Sequence, residues 1–152
     1  MKVTGTEARP TFGYLLVVED DVHGYTGGLL IVCDRGRPLE FHCTEPVRPS
    51  RAQQILFGPT LRSYVCGEQI GGALLAKAKV PIGCLLTEDA DTASAGEAGK
   101  LTTVVLSDES RGAEALRQLA EIVDPAEPFE RVRQAISETQ RLTATGEDRA
   151  AA

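Results

Sequence analysis

Residues 27–33, GGLLIVC, constrain the fold more than any other stretch of this chain. Neighbouring residues on a strand point to opposite faces, so an unbroken apolar run must bury both. The segment is therefore expected to be a central strand of a sheet covered on each side. Two further strands flank it. Residues 13–18 are rich in Leu and Val, and Asp20, Asp21 and Gly24 mark the turn that follows. The run Asp34-Arg35-Gly36-Arg37 is a second tight turn, with Gly36 free to take a positive φ. Residues 38–44 then alternate: Leu39, Phe41 and Cys43 share one face, Glu40, His42 and Thr44 the other. Three strands joined by short turns make an antiparallel meander.

Helical signals follow. Pro46 and Pro49 bracket a rigid crossing, and Ser50 with Gln53 fits a capping box. Gly58 and Pro59 end that short helix. A longer helix is expected over about 60–77, with Cys66, Ile70 and Leu74 recurring every fourth residue. Gly67 and Gly71 on it permit another element to approach closely. Residues 80–87 and 101–107 are expected to be the fourth and fifth strands. The small, polar stretch 89–99 between them shows no apolar face and is expected to be a mobile loop with at most one weak helical turn. A helix is expected from Asp108 or Ser110 to about Val123. A last one begins at Asp124-Pro125, with Phe129, Val132 and Ile136 on one side.

The plan is an α+β (or mixed α/β) single domain: a three-stranded antiparallel meander, two helices, two further strands and two C-terminal helices. The strand–loop–strand–helix half could add parallel strands to the meander, and strand order stays open. Residues 1–11 are expected to be a flexible arm, 12–141 the globular domain, and 142–152 a disordered tail.

The chain has 152 residues, enough for one hydrophobic core without disulfides or a structural metal. Its net charge of −6 lies wholly in residues 89–152, where thirteen carboxylates face seven cations. With no cluster of Lys and Arg, nucleic acid is not an expected partner. No apolar run approaches the length of a membrane span, and none follows the N-terminal charge as in a signal peptide. A cytoplasmic location with reduced cysteines is the expectation.

Both histidines, all four cysteines and all three tyrosines lie between Phe12 and Cys84. His42 beside Cys43 suggests zinc or thiol chemistry, but strand neighbours point apart and no Cys-x-x-Cys pair occurs. A zinc site drawn from Cys33, Cys43, Cys66 and Cys84 is the weakest alternative. Free cysteines buried as small hydrophobes are the expectation, with no cofactor and no metal. His23 lies in a turn and is expected to be exposed and idle. Glu40 and His42 share a strand face and could form an acid–base pair. Arg48 and Arg51 flank the start of a short helix, whose free N–H groups attract anions. Together Glu40, His42, Arg48 and Arg51 form a candidate strip for a small molecule or anion, against the alternative of a solvated face with weak ion pairs. The paired charges Glu114–Arg117, Glu127–Arg131 and Glu130–Arg133 suit helix surfaces.

No Gly-x-Ser-x-Gly, His-Glu-x-x-His, Walker or dinucleotide motif is present, so no reaction is named. The leading expectation is a non-catalytic module that acts through a protein partner or as a homo-oligomer. Its third strand, polar on one face, is a candidate sheet edge.

Overall fold

A computed structural model describes residues 10–106 and 126–151. It is an α+β domain built on one mixed five-stranded sheet, in the order β3-β2-β1-β4-β5. The strands are β1 (Thr11–Asp20), β2 (Gly24–Cys33), β3 (Pro38–Cys43), β4 (Cys84–Thr87) and β5 (Thr103–Val105). The first three form the antiparallel meander, with Leu15 opposite Leu29 and Leu30 opposite Phe41. β4 lies parallel to β1, and β5 parallel to β4, so the second half does add parallel strands.

Helices cover both faces, as the apolar run in β2 requires. One core joins Leu15, Val17, Leu29 and Ile31 of the sheet to Cys66, Ile70 and Leu74 of α2 (61–77). The other joins Tyr14, Leu16, Leu30 and Val32 to Phe129, Val132 and Ile136 of the C-terminal helix (Glu127–Ala151). Tyr14 and Phe129 meet edge to face, with ring centroids 5.0 Å apart.

The adjacent residues Gly27 and Gly28 let both helical layers close on β2. A Cβ on Gly27 would lie within 3.0 Å of Ile70 Cγ2. One on Gly28 would stand 2.7 Å from Val132 Cγ1, on the other side of the sheet. The pair is a packing device rather than a ligand-binding loop.

The short helix α1 (Arg51–Phe57) carries the expected capping box. Ser50 Oγ accepts from Gln53 N–H at 3.1 Å, and Gln53 Oε1 accepts from Ser50 N–H at 2.9 Å. Phe57 stacks on Tyr64, with centroids 4.4 Å apart, and so ties α1 to α2. α2 is not uniform. It is α-helical at Leu61–Ser63, widens to a π-helix over Tyr64–Gly71, and returns to α over Gly72–Lys77.

Residues 89–99 overturn the expectation of a loop. Ala90–Ala98 is a helix, α3, with Asp89 as its N-cap accepting from Thr92 N–H at 2.8 Å. Its face is small rather than apolar: Thr92, Ala93, Ala95 and Gly96 are buried. Gly67 and Gly71 of α2 admit this helix, since a Cβ on Gly71 would come within 2.6 Å of Ala95 Cβ. Arg62 adds bonds to Asp89 and Asp91 at 3.4 and 2.9 Å.

β4 begins at Cys84 rather than near residue 80, because Pro81 cannot donate to a ladder. The C-terminal helix, α4, continues to Ala151, past the expected end near 141. Arg131 anchors its first turn, pairing with Glu127 and donating to Gly36 O at 2.7 Å. Arg133 pairs mainly with Glu88, with Glu130 at 3.9 Å. The expected helix over 108–123, the Glu114–Arg117 pair, the Asp124-Pro125 cap and most of the N-terminal arm lie outside the described residues. Among the described residues, no helix is long and apolar enough to cross a membrane.

Candidate functional site

β3 is an edge strand of the sheet, and its polarity is the reverse of what burial would suggest. Leu39 and Phe41, on its apolar face, are 47% and 37% exposed. The side chains of Glu40 and His42, on its polar face, are only 13% and 26% exposed. The expectation of an inward apolar face and a solvated polar one fails here. α4 lies over β1 and β2 and meets β3 at Cys43, whose Sγ is 4.0 Å from Thr139 Oγ1, but leaves Leu39 and Phe41 exposed, while the segment after α2 folds over the other side.

Glu40 holds that segment. Its carboxylate accepts from Lys79 N–H at 3.0 Å and from Val80 N–H at 2.9 Å. It also bonds His42 Nε2 directly. The bond to His42, then the backbone N–H groups, hold the Glu40 carboxyl down to about 2. Glu40 is thus an ionised anchor at neutral pH, unsuited to taking a proton from a substrate.

The strip expected from sequence divides. Glu40 and His42 meet each other. Arg48 faces away from them, into two surface clefts, and Arg51 stands exposed on α1, 3.5 Å from Gln54. Sequence proximity placed the four together, but the turn through Pro46 and Pro49 sends the arginines elsewhere.

The larger cleft, about 530 Å³, lies between the end of β3, the turn after β1 and the middle of α4. It brings together three groups distant in sequence, His23, Arg48 and Lys77, with Glu45 as the carboxylate on its wall. His23 Nδ1 lies 3.1 Å from the Asp20 carboxylate, which leaves Nε2 available. That contact, after the stronger effect of the His23 N–H, lowers the Asp20 carboxyl below its ordinary range. Gln140 Nε2 donates to Thr26 Oγ1 at 3.2 Å across the floor. His23 is therefore held in its turn by Asp20 and lines this cleft. Lys77 and Gln140 were invisible as site residues, because nothing in their spacing connects them to Arg48.

The cysteines do not converge. Cys66 packs on the α2 side of the sheet and Cys84 on the α4 side. Burial pushes the Cys66 thiol up to about 11 and raises that of Cys84. Cys33, beside the β2–β3 turn, is lowered instead, chiefly by the Arg35 N–H at 3.3 Å. Among the described residues, no three His, Cys, Asp or Glu side chains group as metal ligands. The four-cysteine zinc alternative lacks the geometry it needs.

No protein-family model matches this chain, and no curated protein matches it significantly.

Proposed function

We propose that this protein is a non-catalytic interaction module whose β3 edge pairs with β3 of a second copy. The observation that carries this reading is the exposed apolar face of an edge strand whose polar face is already engaged within its own chain.

The ladder supports a definite register. Thr44 N–H donates to Gly27 O at 2.9 Å, within a pairing that continues as His42 opposite Leu29 and Glu40 opposite Ile31. Inward bonding alternates along an antiparallel pair, so Phe41 and Cys43 direct their backbone groups outward. A two-fold axis through Phe41 would join Phe41 to its symmetry mate by two such bonds. It would set Leu39 opposite Cys43 and Glu40 opposite His42 of the second copy. That register alternates carboxylate and imidazole on one face and matches apolar groups on the other. Shifting the axis to Glu40 would oppose two carboxylates instead. An edge of six residues is short, so the dimer should be weak and concentration-dependent.

Sedimentation equilibrium tests the reading. The mass should rise from 16.2 kDa toward its double as concentration increases. Phe41→Lys, on an exposed side chain, should stay monomeric and folded. Leu39→Cys should form a covalent dimer on mild oxidation, because hydrogen-bonded partners lie about 5.5 Å apart, within disulfide reach. A wild-type chain that stays monomeric at millimolar concentration would overturn the proposal.

A further inference from the structure

We propose a second site: the cleft lined by His23, Arg48 and Lys77 binds a small organic molecule through an oxyanion group, phosphate or carboxylate. Its volume of about 530 Å³ lies within the range of small-molecule sites. Charge and geometry, beyond size, point to an anion.

Arg48 and Lys77 reach the cleft from different elements, the crossing after β3 and the last turn of α2. Four other described arginines are held by carboxylates of their own chain: Arg62 by Asp89 and Asp91, Arg131 by Glu127, Arg133 by Glu88, Arg141 by Glu138. Among the described residues, no carboxylate lies within ion-pair distance of Arg48 or Lys77. Two cations from separate elements, facing one concavity without partners, create a positive potential that an anion would satisfy.

The rest of the wall suits the same ligand. His23 is oriented by Asp20 through Nδ1, so Nε2 faces outward as a further polar contact. The Thr26–Gln140 hydrogen bond fixes two neutral polar groups beside it. Val22 and Ile136 supply apolar surface against which an organic remainder would rest. Glu45, the carboxylate on the wall, would disfavour a ligand carrying negative charge along its whole length. The oxyanion therefore belongs at the Arg48–Lys77 side and the uncharged part along α4.

Amide chemical-shift titration of the full chain tests this, with inorganic phosphate and phenyl phosphate added at constant ionic strength. Resonances of Thr26, Lys77 and Gln140 should shift saturably with both, and phenyl phosphate should bind more tightly. Arg48→Gln and Lys77→Gln should each weaken binding by roughly tenfold, the usual effect of losing one charge-assisted hydrogen bond. Both side chains are exposed, so neither change threatens the fold. Arg51→Gln, outside the cleft, should leave binding unchanged. Shifts that never saturate, or that persist equally in Arg48→Gln/Lys77→Gln, would overturn the proposal. So would a variant Arg51→Gln that weakens binding as much as Arg48→Gln.

Discussion

Adding one methyl group at Gly27 presses on a tight point where α2 packs against the sheet. The new Cβ would lie inside 3.0 Å of Ile70 Cγ2 and 3.0 Å from Leu74 Cδ1. Carbon atoms rest at about 3.5–4.0 Å, so helix and strand would have to separate. β2 cannot retreat, because α4 presses Gly28 from the other face. Overpacking of this kind costs about 1–3 kcal/mol, and blocked retreat places Gly27→Ala near the top of that range. Replacing glycine in a strand returns about 0.5–1 kcal/mol. The net loss should be about 2 kcal/mol, or roughly 4–8 °C in Tm for a chain of this size. Gly72→Ala is the matched control. It adds the same methyl to a helical residue with φ −60 and nothing nearer than 3.9 Å. It should stabilise by about 0.5–1 kcal/mol. Ile70→Ala removes the opposing methyl, so Gly27→Ala/Ile70→Ala should lose less than the sum of the single changes. Calorimetry reads all four. A Gly27→Ala protein as stable as wild type, or strict additivity with Ile70→Ala, would refute the account of β2 as a strand held from both faces.

Acid should loosen the segment that Glu40 anchors. A carboxyl lowered from 4.5 to about 2 contributes stability above its unfolded value and loses it as pH falls through that window. Glu40→Gln should therefore flatten the stability profile between about pH 5 and pH 2, leaving the residual slope of Asp20 and Glu138. An unchanged profile in chemical denaturation would count against the anchor. Thiol labelling of the native protein should modify Cys33 and Cys43, with Cys33 faster, and reach Cys66 and Cys84 only on unfolding. Equal reactivity at Cys66 would contradict the packing of α2 on the sheet.

The meander was legible because its turns carry Asp and Gly and its strands carry unbroken or alternating apolar residues. The capping box at Ser50 was legible for the same reason: its chemistry is local. α3 was missed because residues 89–99 lack the bulky stripe by which a buried helix is recognised. Its signal lay elsewhere, in Gly67 and Gly71 four residues apart on α2, a surface that only a small-sided partner fills. The widening of α2 over Tyr64–Gly71 was not legible, because residues at i, i+4 and i+8, such as Cys66, Ile70 and Leu74, share a face of an ordinary α-helix as well. The exposed face of β3 could not be read from alternation, which pairs residues by face without saying which face the helices cover. The cleft was hidden because Arg48, Lys77 and His23 are assembled by topology alone.

The two glycines in β2 also bear on how the domain comes apart. Each apolar layer touches the same strand at neighbouring residues, so neither can swell without moving the backbone that supports the other. Loosening α4 at Gly28 would shift the surface on which Ile70 rests, and the reverse holds for α2 and Gly27. The halves of the sandwich are therefore expected to behave as one cooperative unit rather than as independently opening layers. A disturbance at the cleft, whose wall includes Ile136 of α4, has a mechanical route through β2 to the opposite face.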